Sequence, residues 1–286
     1  MDQRIIDLYD EYTHAPLDRR VFITRLAQLT GSAAAAMALV PLLEANQAHA
    51  ALVPAEDPRL ETSHLAYPGA TGEIKAYMAR PKGDAKLPAV IVIHENRGLN
   101  PHVEDVTRRV ALEGFVALAP DLLSPMGGTP ANEDTARDMI GKLDGQQTVQ
   151  NLVSAVTFLE QRANSNGKVG VMGFCWGGGM VGDLAVNAPD LDAAVVYYGR
   201  QPKASEVEKI KAPMLLHYAG LDTRINEGIP AFEEALKKAN KPYTLYIYEG
   251  ANHAFNNDTS EARYSKQAAE QAWSRTIAFL REHLKI

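Results

Sequence analysis

The single cysteine of this chain, Cys175, lies in the segment GFCWGGG, directly after the apolar run KVGVM. In the pattern Gly-X-nucleophile-X-Gly, a strand turns sharply into a helix and exposes the nucleophile at the apex. The helix dipole favours a thiolate there, and the backbone N–H of Trp176 points to where a substrate oxyanion would form. The pattern therefore predicts a nucleophilic thiol. The alternative is a buried cysteine in a glycine-rich turn, as in nucleotide-binding folds.

An aspartate and a histidine follow Cys175 at positions that suit a catalytic triad. Asp222, in YAGLDTRI, comes just after an apolar run, and His253, in EGANHAFN, comes just after the next one. The chain order nucleophile, acid, histidine is typical of α/β-hydrolases. His253 would take the thiol proton and protonate the leaving group, and Asp222 would fix its tautomer. Taken singly, Asp222 could instead be a helix cap and His253 a loop histidine.

The elements that must position these side chains are predicted from the alternation of apolar runs and amphipathic segments. Residues 61–69 and 73–81 predict a β-hairpin or two edge strands. Later strands that are apolar on both faces and alternate with helices predict a parallel sheet covered on both sides. Residues 124–134 are predicted to be a loop near the mouth of a site. The six apolar runs are residues 87–95, 114–123, 168–174, 191–199, 212–220 and 243–250.

Composition excludes several classes of function. The net charge is −6 with interspersed charges, and no basic block suits nucleic acid. One cysteine cannot form an internal disulfide. His94 and His102 have no companions at a metal-ligand spacing, and His64, His217 and His283 are interpreted as structural or superficial. We therefore expect neither a metal nor a cofactor.

The first fifty residues differ from the rest of the chain. Arg19 and Arg20 precede a short apolar, alanine-rich stretch at residues 29–43, and the segment QAHA ends at Ala50 in the small-X-small form of a cleavage site. This order is typical of a secretory signal, and the paired arginines resemble a twin-arginine signal. The pattern predicts that residues 1–50 direct export to the periplasm through the twin-arginine machinery.

A second interpretation of this segment remains open. The residues before the arginines, MDQRIIDLYDEYTH, are acidic, whereas signals are usually basic there. They also carry apolar residues at roughly helical spacing: Ile5, Ile6, Leu8, Tyr9 and Tyr12. Residues 1–50 would then be an uncleaved helical extension of a cytoplasmic protein, packed on the body or on a partner subunit. In either case residues 55–286 are predicted to form one α/β domain.

The motifs together resemble the dienelactone hydrolases, cysteine-dependent members of the α/β-hydrolase fold. The matching runs are IVIHENRGLN, GFVALAPDLLS, NGKVGVMGFCWGG, AVVYYG and EGANHAF, which spread over nearly all of residues 60–286. The resemblance implies a triad of Cys175, Asp222 and His253, with Glu95 beside the thiol to help keep and release the thiolate. The backbone N–H of Asn96 would then be the second oxyanion donor, alongside that of Trp176.

The departures from the family's pattern concern the substrate. Ala254 stands where dienelactone enzymes have a serine, and Asn257 stands where an arginine pairs with the strand glutamate. Arg137 is a counterpart of the arginine that holds the substrate carboxylate, although the aromatic residues expected a turn later are absent. Arg97 could supply the charge missing at Asn257. Tyr198, in AVVYYG, is a further candidate for substrate binding.

The sequence therefore predicts a hydrolase that cleaves a small ester or lactone through a cysteinyl acyl-enzyme, as a monomer or homodimer. Water would attack the acyl-enzyme with His253 as base and release a carboxylic acid. One alternative is a general carboxylesterase with a neutral substrate. Another is a thiol sensor or binding protein on the same fold, which would need neither Asp222 nor His253.

Overall fold

The computed structural model describes residues 1–14, 17–44 and 52–286. In these ranges the strands form one eight-stranded sheet in the order β1-β2-β4-β3-β5-β6-β7-β8. β1 and β2 are antiparallel, β2 pairs antiparallel with β4, and all the other pairings are parallel. The strands are β1 Leu60–Gly69, β2 Gly72–Pro81, β3 Leu87–Ile93, β4 Val116–Pro120, β5 Ser165–Phe174, β6 Ala193–Tyr197, β7 Met214–Ala219 and β8 Tyr243–Tyr248.

Helices cover both faces of the sheet. The helices of the described ranges are α1 Gln3–His14, α2 Arg19–Thr30, α3 Ala33–Leu43, α4 Pro101–Leu112, α5 Glu133–Ile140, α6 Gly145–Glu160, α7 Trp176–Asn187, α8 Thr223–Asn226, α9 Ile229–Lys238 and α10 Lys266–Leu284. On one face α4 and α10 pack in an apolar core, and on the other α6, α7 and α9 pack in a second core. Two cores are needed because strands β3 to β7 are apolar on both faces.

The predicted α/β architecture is confirmed, including the N-terminal hairpin, whose strands pair from Leu60–Pro81 to Gly69–Gly72. Five of the six predicted apolar runs contain a strand, and the run at residues 168–174 is the second part of β5, which begins at Ser165. The predicted loop at residues 124–134 contains a short 3₁₀ helix, Ser124–Met126, and its last two residues begin α5. Because the carboxyl ends of parallel strands meet at one edge of the sheet, the side chains that follow β3, β5, β7 and β8 are brought to one place.

The N-terminal helices α1 to α3 pack together around a core of their own and against the body. Tyr12 and Phe22 stack with ring centroids 4.5 Å apart, and Leu26 and Leu43 are fully buried. In the described part of the chain we find no single helix with the length and hydropathy of a membrane span, although α2 and α3 together meet that test across a bend of 113°. The proposed cleavage point at Ala50 lies outside the described residues.

Candidate active site

The predicted turn at Cys175 is present and has the backbone conformation that such a turn requires. Cys175 follows β5 directly, precedes α7, and has φ 55° and ψ −117°. A positive φ is strained for any side chain and persists at functional sites where the surroundings enforce it. The Cys175 N–H donates to the carbonyl of Tyr197 on the neighbouring strand (3.0 Å). The sulfur is thereby placed at the carboxyl edge of the sheet, at the N-terminus of a helix.

Asp222 and His253 form the expected pair beside this sulfur. His253 Nδ1 lies 2.5 Å from Asp222 Oδ2, and both side chains are buried. Asp222 Oδ1 also accepts the N–H of Ile225 at 3.3 Å, so the carboxylate caps α8 as well as holding the imidazole. The cap and the triad interpretations of Asp222 are therefore compatible. His253 Nε2 is buried and has no hydrogen-bond partner within residues 1–14, 17–44 and 52–286, which leaves it available for a proton in the site.

A second histidine, which the sequence analysis missed, contacts the sulfur directly. His14, the last residue of α1, has its Nε2 3.0 Å from Cys175 Sγ. Its Nδ1 lies 2.8 Å from the carbonyl oxygen of Asp10 and 3.1 Å from that residue's Oδ1. The rings of His14 and His253 meet edge to face, with centroids 4.5 Å apart. The available signal was the i, i+4 spacing of Asp10 and His14 in DEYTH, which nothing local linked to the thiol.

Glu95 lies at the site, but its partners differ from those expected. Asn257 Nδ2 donates to Glu95 Oε2 at 2.8 Å, and the Tyr198 hydroxyl donates to Oε1 at 3.4 Å. Burial and the charges of Glu95 and Cys175 raise the pKa of Tyr198 well above its ordinary value, so the hydroxyl remains a donor. Arg97 does not supply the missing charge; it donates to Asp134 at 3.1 Å. Asn257 itself therefore holds the glutamate.

The loop after β3 is held by His94, for which the sequence analysis found no companions at a metal-ligand spacing. His94 Nδ1 lies 2.6 Å from the carbonyl of Glu95, and His94 Nε2 accepts the N–H of Leu122 at 3.3 Å. Burial lowers the pKa of His94, in keeping with a neutral ring. The ring stacks on Trp176, with centroids 5.4 Å apart. This packing links the segment after β3 to the start of α7. These two segments carry the predicted oxyanion donors, the N–H groups of Asn96 and Trp176.

Two cavities reach Cys175. A small one of about 20 Å³ lies between the sulfur, Glu95 and α1, and an open cleft of about 920 Å³ runs beside it. Among the described residues, five basic and three acidic side chains line the cleft: Arg19, Arg137, Lys142, Arg200 and Arg224, and Asp18, Asp134 and Asp138. Arg137 and Tyr198 line this cleft, whereas Arg97 lines the small cavity. The wider cleft therefore has room for a substrate beside the sulfur, and its lining has two more basic than acidic side chains. Most of the basic groups are ion-paired: Arg19, Arg137, Arg200 and Arg224.

Two groups of side chains in the described ranges have ligand atoms close enough to hold a metal ion. His14, Cys175 and His253 form one group, and Asp10, Asp222 and His253 form the other; within each group the ligand atoms lie within 4.8 Å of one another. The sequence analysis predicted no metal because it found no histidines at a metal-ligand spacing, and it did not link His14 to the site. Imidazole and thiolate ligands in the first group would suit a zinc-like ion.

The chain matches two family models. The dienelactone hydrolase family matches residues 74–284, and a model described as YqhI-like matches residues 1–32. The first match contains every predicted triad residue together with Glu95. The second contains Asp10 and His14, the pair that the structure places over the sulfur.

Curated relatives and solved structures agree with the first match. A candidate carboxymethylenebutenolidase of Saccharolobus solfataricus is 38% identical over 251 residues, which are 73% of this chain and 94% of the relative. A candidate 2-oxo-3-(5-oxofuran-2-ylidene)propanoate lactonase of Bradyrhizobium sp. is 34% identical over 231 residues, covering 76% of this chain and 92% of the relative. A crystal structure of a candidate dienelactone hydrolase from Klebsiella pneumoniae, 29% identical, superposes with a TM-score of 0.70 over 78% of this chain and 99% of that one.

Proposed function

Because this chain belongs to the dienelactone hydrolase family and is a hydrolase of esters or lactones, we propose that it opens a small lactone through a thioester on Cys175. The observation that carries the proposal is the strained turn at Cys175, next to the buried Asp222–His253 pair. A cysteine presented in this way is a nucleophile with a base and an orienting carboxylate in reach. A redox sensor would need the cysteine alone.

The proposed reaction has two half-reactions. In the first, Cys175 Sγ attacks the carbonyl carbon, the oxyanion is bound by the N–H groups of Trp176 and Asn96, and the ring oxygen leaves. In the second, His253 Nε2 takes a proton from water, which attacks the thioester and releases the acid. Asp222 holds the Nδ1 proton of His253, which keeps the lone pair of Nε2 directed into the site.

The cleft favours an anionic substrate. Its basic side chains outnumber its acidic ones among the described residues, and a carboxylate is held well by guanidinium groups. The Bradyrhizobium relative is described as a lactonase of an oxofuranylidene propanoate, a lactone that carries a carboxylate. Apolar residues in the same cleft, Leu17, Ile140 and Ile225, support the second candidate function, a carboxylesterase with a larger neutral substrate.

Turnover of a dienelactone and of a neutral nitrophenyl ester tests the proposal. We expect kcat/KM to be higher for the dienelactone, and we expect both activities to be lost in Cys175→Ala. Arg137→Gln should lower kcat/KM for the dienelactone at least about tenfold more than kcat/KM for the neutral ester, since a hydrogen bond to a charged group contributes about 1.5–3 kcal/mol, whereas loss of the Arg137 contact with Tyr12 affects both substrates alike. Equal turnover by Cys175→Ala and the native protein would refute the thioester. A preference for the neutral ester would identify the carboxylesterase.

We also propose export through the twin-arginine machinery with residues 1–50 retained in the exported protein, on the strength of Arg19 and Arg20 and the apolar stretch that follows. In the folded chain Arg19 is ion-paired with Glu44 (2.7 Å) and Asp134 (3.1 Å). Replacement of both arginines by lysine removes the paired arginines of the signal, so the protein should be retained in the cytoplasm, as measured by cell fractionation. An unchanged distribution of the protein between cytoplasm and periplasm would favour the interpretation of residues 1–50 as an uncleaved helical extension of a cytoplasmic protein.

A further inference from the structure

Two aspartate–histidine pairs converge on one sulfur atom. His253, oriented by Asp222, follows β8, whereas His14, oriented by Asp10, is supplied by α1. The two imidazoles differ in their relation to Cys175: His14 Nε2 lies 3.0 Å from Sγ, while His253 Nε2 is buried without a hydrogen-bond partner among the described residues. The imidazole in hydrogen-bond contact with the thiol is therefore that of His14.

The tautomer of His14 is fixed by its surroundings. The carbonyl oxygen of Asp10 can only accept, so His14 Nδ1 carries a proton and donates it over 2.8 Å. In the neutral ring the lone pair is then on Nε2, which faces the sulfur. A base with its lone pair 3 Å from the S–H group has the geometry required for proton abstraction.

The Asp10 carboxylate lies beside His14 and is itself held by a cation. Asp10 Oδ1 lies 3.1 Å from His14 Nδ1, and an Arg224 N–H donates to Asp10 Oδ2 at 3.4 Å. A carboxylate, an imidazole and a thiol are thus aligned, so that a proton that moves from Cys175 to His14 is stabilised by a negative charge on the far side of the ring.

The body of the hydrolase holds the end of α1 in place. Asn96 Nδ2 donates to the carbonyl of Thr13 at 2.6 Å, and an Arg137 N–H donates to that of Tyr12 at 3.0 Å. The Arg137 guanidinium also lies over the Tyr12 ring, 4.6 Å from its centroid. These contacts fix the two residues before His14. The imidazole is therefore positioned by the same loop, after β3, that carries the predicted oxyanion donor.

We propose that His14 is a catalytic residue of the acylation half-reaction, in which it takes the proton of Cys175, and that His253 is the base of deacylation. The inference rests on the proposed function. In acylation the Sγ proton moves to His14 Nε2, the C–S bond forms, the ring C–O bond breaks, and the same proton passes to the leaving oxygen. In deacylation a proton of water moves to His253 Nε2, water oxygen bonds to the acyl carbon, the C–S bond breaks, and sulfur recovers the proton from His253.

The test separates the two half-reactions in the full-length chain. A neutral nitrophenyl ester releases nitrophenolate without needing an acid, so its burst reports thiol activation alone, and intact mass of quenched samples reports the thioester. We expect His14→Gln to slow the burst at least about 100-fold, the usual contribution of a general base, with no thioester accumulating. We expect His253→Gln to keep the burst and to accumulate the thioester. Alkylation of Cys175 by iodoacetamide at pH 6.5 should slow about tenfold or more in His14→Gln, because thiolate reacts and thiol does not.

Glu11→Gln is the matched control, because it changes a half-exposed side chain of the same helix, paired with Arg25 at the surface. It should leave burst and alkylation unchanged. Asp10 is a positioning residue, so Asp10→Asn should slow the burst and Asp10→Glu should restore most of it. If His14→Gln fails to fold, the bursts of Asp10→Asn and Asp10→Glu test the inference in its place.

Two results would contradict the inference, and a third would contradict the proposed function. A native-like burst in His14→Gln, together with loss of the burst in His253→Gln, would overturn it and return both steps to His253. Activity lost in a chelator and restored by Zn²⁺ would make His14, Cys175 and His253 a metal site instead. Absence of any thioester in the native protein and in every variant, with turnover kept in Cys175→Ala, would instead refute the proposed function on which the inference rests.

Discussion

Asp222→Asn is expected to lower kcat by about 10³–10⁴-fold, the cost of holding a catalytic histidine in the wrong tautomer. Asp222 Oδ2 lies 2.5 Å from His253 Nδ1 and, as a carboxylate, can only accept. An asparagine can turn an N–H toward Nδ1, which moves the ring proton to Nε2 and removes the lone pair that activates water. The substitution keeps an oxygen for the N–H of Ile225, so the cap of α8 is preserved.

The kcat for a dienelactone and the melting temperature of the variant together check this expectation. A large fall in kcat with a melting temperature close to the native one would be the expected result, and the thioester should accumulate, because the affected step is deacylation. Asp258→Asn is the matched control, since Asp258 also pairs with a histidine, His102, at 3.3 Å, outside the two cavities that reach the sulfur. A fall in kcat of similar size in Asp258→Asn would mean that general disturbance, and not the tautomer, causes the loss.

The positions of Cys175, Asp222 and His253 could be predicted because each lies within three residues of the end of an apolar run. In a sheet of mainly parallel strands, such residues meet at the carboxyl edge whatever the details of packing. The strand ends were therefore sufficient to place these three side chains at one edge of the sheet without knowledge of any long-range contact. Glu95 could be placed at the site for the same reason, as it follows β3. Its partner Asn257 could not, because that contact depends on the path of the loop after His253.

His14 could not be predicted because its position is decided by tertiary contacts. The contacts of Asn96 and Arg137 with the end of α1 join residues far apart in the chain. No periodicity in DEYTH indicates which face of the body α1 meets. The sequence pattern for an amphipathic N-terminal helix was visible, but the same fifty residues also fit a signal. A short apolar stretch behind two arginines fits both an export signal and a packed helical extension, because both are rich in small apolar residues.

Gly177→Ala is expected to lower kcat about 10²–10³-fold, as loss of an oxyanion donor does, and to destabilise the fold by about 1–3 kcal/mol, the usual cost of overpacking. A Cβ on Gly177 would lie 2.4 Å from the carbonyl oxygen of His94 and 2.6 Å from that of Ile93. Both are backbone atoms at the end of β3, so β3 and α7 must separate. That movement also parts the N–H of Asn96 from the N–H of Trp176, which are predicted to bind one oxyanion together.

Gly145→Ala provides the control for this substitution. Gly145 is the first residue of α6, and a Cβ there meets nothing within 4 Å, so alanine should leave kcat unchanged and should not lower stability. Urea denaturation and kcat, measured on Gly177→Ala and on Gly145→Ala, test these expectations. Native-like kcat in a destabilised Gly177→Ala would show that the two N–H groups do not act as a pair. Loss of kcat with full stability would be equally informative, because it would confine the effect to the turn at Cys175 and leave the two cores of the sheet unaffected.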